Sequence, residues 1–91
     1  MKIYILRCSD GSYYTGLTDD LKHRVETHRQ GRGSEYTRSK RPIQLIYFEE
    51  RQNTVEAKKR EIEIKGLSRA NKERLIKYGT GVRVSLGSGK K

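Results

Sequence analysis

Short apolar runs separated by turn signals open the chain, a pattern typical of a β-hairpin. Residues 3–8 are rich in β-branched and aromatic side chains, and residues 13–17 repeat that composition after a Ser-Asp-Gly-Ser turn. A third run of the same kind occupies residues 43–49. The pattern predicts three strands, of which the first two pair as an antiparallel hairpin.

A helix is predicted directly after the hairpin. Either Thr18 or Asp19 can cap it, because both side chains accept hydrogen bonds from the free amides of a first helical turn. The helical pattern reaches about Gln30, and Gly31 supplies the stop. The next segment, residues 31–42, is rich in Gly, Ser and Arg and is predicted to be a loop.

Two further helices are predicted after the third strand. Asn53 with Glu56 three residues later resembles a capping box and favours a helix to about residue 65, and Ser68 caps a last helix that ends near residue 78. The order β-β-α-β-α-α indicates an α+β domain over residues 1–79, with a small three-stranded antiparallel sheet flanked by helices. Residues 80–91 are predicted to form a flexible, basic, Gly/Ser-rich tail, in which residues 82–84 are candidates for a short added strand.

Composition and charge narrow the class of protein. The chain has 91 residues, enough for one domain, and 21 Lys and Arg against 11 Asp and Glu give a formal net charge of +10. Such a field attracts polyanions, of which nucleic acid is the commonest in the cytosol, although surplus lysine also serves solubility alone. No apolar run approaches the ~20 residues of a membrane-spanning helix. Cys8 is the only cysteine, so we expect no disulfide and a reducing, cytoplasmic location. No secretory signal is visible, and a monomer is expected.

The first predicted helix directs two chemically active side chains towards the sheet. Arg24 and His28 are four residues apart and therefore share a helix face. Leu21, Val25 and His28 form the core-facing stripe, and Arg24 lies at its edge. An arginine in that position requires an anionic partner, or else its guanidinium reaches solvent at the rim.

Glu61 lies within an apolar stripe of the second predicted helix, together with Ala57 and Ile64. A second apolar stripe occupies the opposite side of that helix, so the pattern leaves the buried face open. On an exposed face, Glu61 would form a weak pair with Lys65. On the buried face, it would offer a hard oxygen ligand to a divalent cation such as Mg²⁺.

Several short motifs follow one another in a fixed order. They are Lys2-Ile3-Tyr4, Tyr14-Thr15-Gly16, Arg24 and His28 in LKHRVETH, then GRGSEYTRSKRP and EAKKREIEIKGLSRANKERL. Their order and spacing over about residues 2–77 resemble the GIY-YIG endonuclease superfamily, and more closely its small single-domain UPF0213, or YhbQ-like, group. Leu17 departs from relatives that place a lysine beside the phosphate.

The resemblance implies a metal-dependent endonuclease that hydrolyses phosphodiester bonds in structured or single-stranded DNA, in repair or recombination. The active-site residues that it implies are Tyr4, Tyr14, Arg24, His28 and Glu61. Glu61 would be the sole protein ligand of one Mg²⁺ or Mn²⁺ ion, and Arg24 would bind the scissile phosphate. A tyrosine would take the proton of the attacking water, and His28 would hydrogen-bond within the site or assist that transfer.

Nucleic-acid binding is assigned to the basic segments, whose contacts grip the phosphate backbone and read little sequence. The residues expected to make these contacts are Lys22, Arg29, Arg32, Arg38, Lys40, Arg41 and Lys65. For many basic residues the alternative is a solvated charged face. Two rival functions stay open: a basic nucleic-acid-binding protein with little nuclease activity, and a module that needs a protein partner to choose its substrate.

The hairpin register decides whether the two motif tyrosines share a face of the sheet. Directly opposed residues share a face, so Tyr4 and Tyr14 lie together only when paired position numbers have an even sum. A two-residue Asp10-Gly11 turn gives an odd sum. Because the resemblance places both tyrosines in one active site, we predict an odd-length loop, such as residues 9–11. Helix phase for Arg24 and His28, and the resemblance for the other three, further predict that the five active-site residues converge on one concave surface.

Overall fold

Four antiparallel strands form the sheet in the computed structural model, which describes residues 1–84. The strands are β1 (Lys2–Arg7), β2 (Tyr13–Thr18), β3 (Gln44–Glu50) and β4 (Val82–Arg83), arranged in the order β2-β1-β3-β4. The α+β class with an antiparallel sheet flanked by helices is confirmed. Strand β1 lies inside the sheet, whereas β2 is an edge strand.

Residues 8–12 connect β1 and β2, and the Cys8 amide donates to the Ser12 carbonyl over 2.9 Å, which leaves a three-residue turn at residues 9–11. Both lengths are odd, as an even register requires. Leu6 pairs with Tyr14, and the Gly11 amide donates to the carbonyl of Cys8 over 2.9 Å. Gly11 has a φ of +85°, the left-handed conformation that closes loops of this length. The predicted odd-length loop is confirmed, and Tyr4 shares a face of the sheet with Tyr14.

Within residues 1–84, four helices accompany the sheet, and each begins with a side-chain cap. They are α1 (Leu21–Arg29), α2 (Glu35–Arg38), α3 (Thr54–Lys65) and α4 (Arg69–Tyr78). The cap of α1 was predicted one or two residues too early: Asp20 accepts from the His23 amide over 3.2 Å. Thr18 is the last residue of β2, and its hydroxyl instead accepts from the Asp20 amide.

The segment predicted to be a loop, residues 31–42, contains the short helix α2. Its cap is Ser34, whose hydroxyl accepts from the Thr37 amide over 3.1 Å. Four residues are too few for a helical period to show in the sequence, so the prediction of an uninterrupted loop was wrong.

The predicted three-stranded sheet gains a fourth strand from the segment predicted to be a tail. The Val84 amide donates to the Ile46 carbonyl over 2.9 Å, and the Gly81 amide donates to the Tyr47 hydroxyl over 3.1 Å. These bonds complete the free edge of β3, which is the physical reason that the chain pairs again here. Residues 85–91 of the predicted tail lie outside the described residues.

Two apolar clusters lie on opposite faces of the sheet. Ile3 and Ile5 of β1 pack against Ala57 and Ile64 of α3, with α4 on the same side. On the other face, a second cluster joins Tyr4, Leu6, Cys8, Val25 and Ile43 beneath α1. The open question about α3 is thereby settled, because its Ala57–Glu61–Ile64 stripe is buried while Val55 and Ile62 are exposed.

A buried ion cluster ties β3 to α3 beside the first motif, where Glu49 pairs with Ile3 of β1. The Glu49 carboxylate is 3% exposed and accepts from Arg60 over 2.8 and 3.1 Å, from Arg51 over 2.9 Å and from the Tyr47 hydroxyl over 2.5 Å. Burial opposes the charged form of Glu49, but the bonds from Arg60 and Tyr47 outweigh it and lower the pKa of this carboxyl. Within residues 1–84, no helix is both long and apolar enough to cross a bilayer.

Candidate active site

Tyr4 and His28 form the buried centre of the candidate site. The Tyr4 hydroxyl lies 2.9 Å from Nε2 of His28, and the two side chains are 1% and 0% exposed. Tyr4 comes from β1 and His28 from the sheet-facing stripe of α1, as the helix phase predicted. This hydrogen bond therefore joins β1 to the helix that covers it.

The other ring nitrogen of His28 contacts α2. Nδ1 lies 2.8 Å from the Thr37 hydroxyl, which is itself 2.9 Å from the hydroxyl of Ser34. Gly33 makes this approach feasible, because a Cβ atom at that position would lie 2.1 Å from Nδ1 of His28. The path of the chain through Gly33 therefore brings α2 against the imidazole.

Tyr14 belongs to a continuous run of aromatic rings that extends from the buried centre to the surface. Its ring centroid is 6.4 Å from that of Tyr4 and 5.1 Å from that of His28. Tyr36 stacks on Tyr14 with centroids 6.0 Å apart and is 42% exposed. The ammonium of Lys40 lies 4.8 Å from the Tyr36 centroid and forms a 2.9 Å ion pair with Asp10 at the hairpin tip.

Gly16 of the second motif gives the Tyr4 ring its place across β2. A Cβ atom at Gly16 would lie 2.3 Å from both Cζ and the hydroxyl oxygen of Tyr4. Gly16 pairs directly with Tyr4, and β2 is an edge strand. The phenol therefore crosses the backbone of β2 and carries its hydroxyl towards the edge of the sheet.

Arg24 is a half-buried cation without a carboxylate partner among residues 1–84. Its Nε is buried and has no hydrogen-bond partner there, and Nη2 makes only a long 3.5 Å contact to the Gly33 carbonyl. The guanidinium neither pairs with a protein anion nor escapes fully to solvent. A desolvated cation in this state creates a site for an external anion.

The electrostatics of the centre follow from burial and from Arg24. Burial raises the pKa of Tyr4 above its ordinary value, whereas Arg24 opposes that rise and the charges of Tyr14 and Glu61 add to it. Burial, and then the charge of Arg24, lower the pKa of His28 to about 4. His28 is therefore a neutral imidazole at pH 7, able to donate through one nitrogen and accept through the other.

Glu61 lies on α3, which packs on the opposite face of the sheet from α1. It is 5% exposed on α3, and its two oxygens form ion pairs with Lys58 over 2.9 Å and Lys65 over 3.3 Å. Burial opposes the charged form, but the lysine hydrogen bonds outweigh it and lower the pKa of Glu61. Its carboxylate influences the pKa of Tyr4 across the edge strand, although no hydrogen bond among residues 1–84 joins it to the other four predicted residues.

The donor set at Glu61 suits one kind of metal site. Residues 1–84 contain no group of three or more His, Cys, Asp or Glu side chains that could hold an ion. An ionised single carboxylate fits Mg²⁺, which keeps most of its waters and is often bound by one or two carboxylates together with substrate phosphates. The residues present therefore fit a cation that shares its shell with the substrate, provided that a lysine yields one oxygen.

The predicted nucleic-acid contacts divide into paired and unpaired cations. Lys40 and Lys65 form the ion pairs described above, and Arg29 lies 3.9 Å from Glu26. The remaining four have no carboxylate partner among residues 1–84; they are Lys22, Arg32, Arg38 and Arg41. Arg32 and Arg38 line one open depression together with Gly31, Ser34 and Glu35.

Sequence reasoning missed the contribution of α2 to the site. Thr37 is completely buried against His28, and Tyr36 extends the aromatic run to the surface. The one available signal was the spacing of Ser34 and Thr37, a hydroxyl three residues before a potential amide donor, which is typical of a helix cap. The partnership between Thr37 and His28 depends on the three-dimensional path of the chain and left no such signal.

Comparison with known proteins agrees with this fold. The model of the GIY-YIG catalytic domain matches residues 1–74. The chain therefore belongs to the GIY-YIG domain family, a nuclease superfamily.

Its relatives place it among the UPF0213 proteins. A UPF0213 protein of Staphylococcus aureus strain Mu3 is 51% identical over 75 residues, which cover 82% of this chain and 92% of that protein. UPF0213 protein SA0446 of strain N315 gives the same figures. The solution NMR structure of UPF0213 protein BH0048 from Bacillus halodurans is 41% identical and has a TM-score of 0.57, covering 87% of this chain and 85% of that one.

Proposed function

We propose that the protein is a metal-dependent endonuclease that hydrolyses phosphodiester bonds in structured or single-stranded DNA, in repair or recombination. The observation that carries the proposal is the unpaired, half-buried guanidinium of Arg24 beside the Tyr4 hydroxyl. A cation without a protein partner suits a phosphate, and an adjacent hydroxyl suits the water that attacks it.

Each member of the site has a distinct role in this proposal. Arg24 binds a phosphate oxygen and stabilises the charge that develops on it in the transition state. Tyr4 accepts the proton of the attacking water while its own hydroxyl proton passes along the 2.9 Å bond to Nε2 of His28, which also holds the phenol in place. Tyr14 packs beside both rings and shields them from bulk solvent.

Glu61 is the proposed ligand of one Mg²⁺ or Mn²⁺ ion. When bound, the ion would supply charge stabilisation for the phosphate oxygens. Glu61 is suited to hold it because this carboxylate is ionised, lies within electrostatic range of Tyr4 and is paired only with the flexible side chains of Lys58 and Lys65.

The cations without carboxylate partners are the proposed grip on the DNA backbone. Arg32 and Arg38 line a depression in the segment between His28 and β3. Their guanidinium groups can pair with phosphates without first breaking an ion pair to a carboxylate. Because such contacts are made to the DNA backbone, binding should depend little on base sequence and should weaken as salt increases. The net charge of +10 steers DNA to this surface.

A second candidate function is DNA binding without cleavage. Both oxygens of Glu61 are engaged by lysines, and a site that kept those ion pairs would hold no metal. The cationic surface would still bind DNA in that case. The two functions therefore share the binding step and differ at Glu61.

The discriminating experiment incubates the purified protein with Mg²⁺ or Mn²⁺ and a panel of duplex, branched and single-stranded DNAs. Cleavage of at least one substrate, abolished by EDTA and by Arg24→Ala, is the expected result. Binding of the same DNAs without cleavage under either metal would support the second candidate and overturn the first.

A further inference from the structure

Four polar side chains form one hydrogen-bonded chain that begins in α2 and ends at the candidate catalytic hydroxyl. Ser34 contacts Thr37 at 2.9 Å, Thr37 contacts Nδ1 of His28 at 2.8 Å, and Nε2 contacts the Tyr4 hydroxyl at 2.9 Å. Tyr4, His28 and Thr37 are all at least 99% buried. Bulk solvent therefore has little part in setting the direction of these bonds, and the protons must be placed by the side chains themselves.

The direction of the bond between Tyr4 and His28 follows from the available acceptors. Among residues 1–84, His28 is the one group in hydrogen-bond contact with the Tyr4 hydroxyl that can accept its proton. The neighbouring Arg24 has donors only and cannot receive the phenolic proton. A Tyr4 proton that is to be satisfied in this buried setting must therefore go to Nε2, which must then be the unprotonated nitrogen.

The remaining bonds agree with that direction. A neutral imidazole with a bare Nε2 carries its proton on Nδ1, which then donates to the Thr37 hydroxyl. Thr37 can accept there because its own proton has two other acceptors, the Ser34 hydroxyl at 2.9 Å and the Ser34 carbonyl at 3.3 Å. The three buried donors, which are the Tyr4 hydroxyl, Nδ1 of His28 and the Thr37 hydroxyl, are then satisfied. In the reverse direction, the Tyr4 proton has no acceptor among the described residues.

We propose that Thr37 is a positioning residue that fixes His28 as the Nδ1–H tautomer and thereby turns the Tyr4 proton inward. The oxygen lone pairs of Tyr4 then face outward, towards Arg24 and the substrate. With the opposite tautomer, Tyr4 would point its proton at the incoming water and could not accept from it. The catalytic consequence rests on the proposed nuclease function, whereas the tautomer itself is a property of the protein alone.

Nitrogen NMR of the free protein tests the tautomer without any activity measurement. In ¹⁵N-labelled protein at pH 7, long-range ¹H–¹⁵N spectra distinguish a protonated from an unprotonated ring nitrogen of His28. We expect Nε2 to give the unprotonated signal and Nδ1 the protonated one. Protonated Nε2 in the wild-type protein would overturn the inference, whether or not the protein cleaves DNA.

Substitution at Thr37 tests the assignment to that residue. Thr37→Val keeps the shape and removes the acceptor, so the spectrum should gain the Nε2–H form; Thr37→Ser should retain the wild-type pattern. Cleavage at saturating DNA should fall at least ~10-fold in the valine variant, because a positioned acid–base group contributes about 10²–10⁴-fold, and the serine variant should restore it. DNA affinity should not change.

A matched control and a folding check complete the design. Ser39→Ala removes an exposed hydroxyl of the same segment, which bonds only backbone carbonyls, and should leave the tautomer and the rate unchanged. If Thr37→Val is folded and shows the wild-type tautomer, the inference is wrong. If Thr37→Val does not fold, the wild-type spectrum and that of Thr37→Ser still decide. A protein with the expected tautomer but no nuclease activity contradicts the proposed function and leaves the role of Thr37 in place.

Discussion

The Tyr4 hydroxyl on β1 lies 2.9 Å from Nε2 of His28 on α1. Both side chains are buried, so the bond joins an inner strand to its covering helix away from water. Tyr4 can donate in this bond only when Nε2 is unprotonated. Protonation of the imidazole would therefore break the bond. This relationship leads directly to the pH dependence of the fold.

We expect the free energy of unfolding to fall as the pH drops from about 6.5 to about 4. Burial lowers the pKa of His28 from 6.5 to about 4, so in this window the unfolded chain binds a proton that the folded protein does not. Arg24 is the charged group that faces His28, with Tyr4 and Tyr14 as its other titratable neighbours. The contribution of neutral His28 to the free energy of unfolding is complete above pH 6.5. Its loss by about pH 4 lowers that free energy by on the order of 3 kcal/mol.

Denaturant unfolding at several pH values measures this contribution. His28→Asn, which cannot titrate, should show a shallower loss over the same window, and the difference between the two curves isolates the imidazole. If stability falls equally with pH in the wild-type protein and in His28→Asn, the pKa of His28 is the same in the folded and unfolded states and the prediction is wrong.

Arg24→Met should separate stability from activity. The substitution removes a half-buried cation with an unsatisfied Nε and keeps much of its length, so the melting temperature should stay the same or rise. Cleavage should fall by at least ~100-fold, since stabilisation of developing charge is lost. Thermal melts and initial rates check this, with Arg74→Met at an exposed position of α4 as the matched control. A lower melting temperature with unchanged cleavage would mean that Arg24 is structural.

Glu49→Gln should destabilise the fold. Removing the charge leaves Arg60 and Arg51 without their buried anion, and breaking a buried ion pair in this way costs about 3–5 kcal/mol. Glu50→Gln removes the same charge from an exposed pair with Lys2 and should cost no more than about 1 kcal/mol. Chemical denaturation compares the two variants. Equal midpoints would show that the Glu49 cluster adds nothing to stability.

The double variant Arg32→Ala/Arg38→Ala should weaken DNA binding and lower its salt dependence. Each phosphate contact adds about 0.9 to the slope of log K against log salt, so loss of two should reduce the slope by about 1 to 2. Arg74→Ala/Lys77→Ala removes the same charge from α4, in the opposite layer, and should have a smaller effect. Binding titrations between 50 and 200 mM salt, a range over which such slopes are clear, measure both. Equal effects would indicate a diffuse charge rather than a defined surface.

Sequence patterns predicted most of the secondary structure because the signals are local. Caps such as Asn53 and Ser68, and stops such as Gly66, lie at the ends of the helices they mark. The cap of α1 was misplaced by one or two residues, and two further differences, at α2 and β4, have tertiary causes. Helix α2 is too short for periodicity and is held by Thr37 against His28, and β4 has two residues that form a strand because β3 offers a free edge.

The candidate site was predictable only as far as helix phase and register reach. The phase of α1 directed Arg24 and His28 inward, and the even register placed Tyr4 and Tyr14 on one face. The two apolar stripes of α3 left Glu61 undecided, since only packing against β1 and β2 selects one of them. Sequence spacing does not encode that Arg24 lacks a carboxylate partner among residues 1–84 or that Thr37 contacts His28. Both features depend on how the chain folds in three dimensions.

The most direct test compares Glu61→Gln with the wild-type protein and with Glu56→Gln, an exposed carboxylate on the same helix. We predict that Glu61→Gln binds DNA as well as the wild type or slightly better, because one negative charge near the phosphates is gone. Its cleavage rate at saturating DNA and Mg²⁺ should fall at least ~100-fold, since charge stabilisation by the ion is worth several kcal/mol, while Glu56→Gln cleaves normally. Wild-type cleavage by Glu61→Gln would contradict the account, because Glu61 would then be a structural carboxylate held by Lys58 and Lys65.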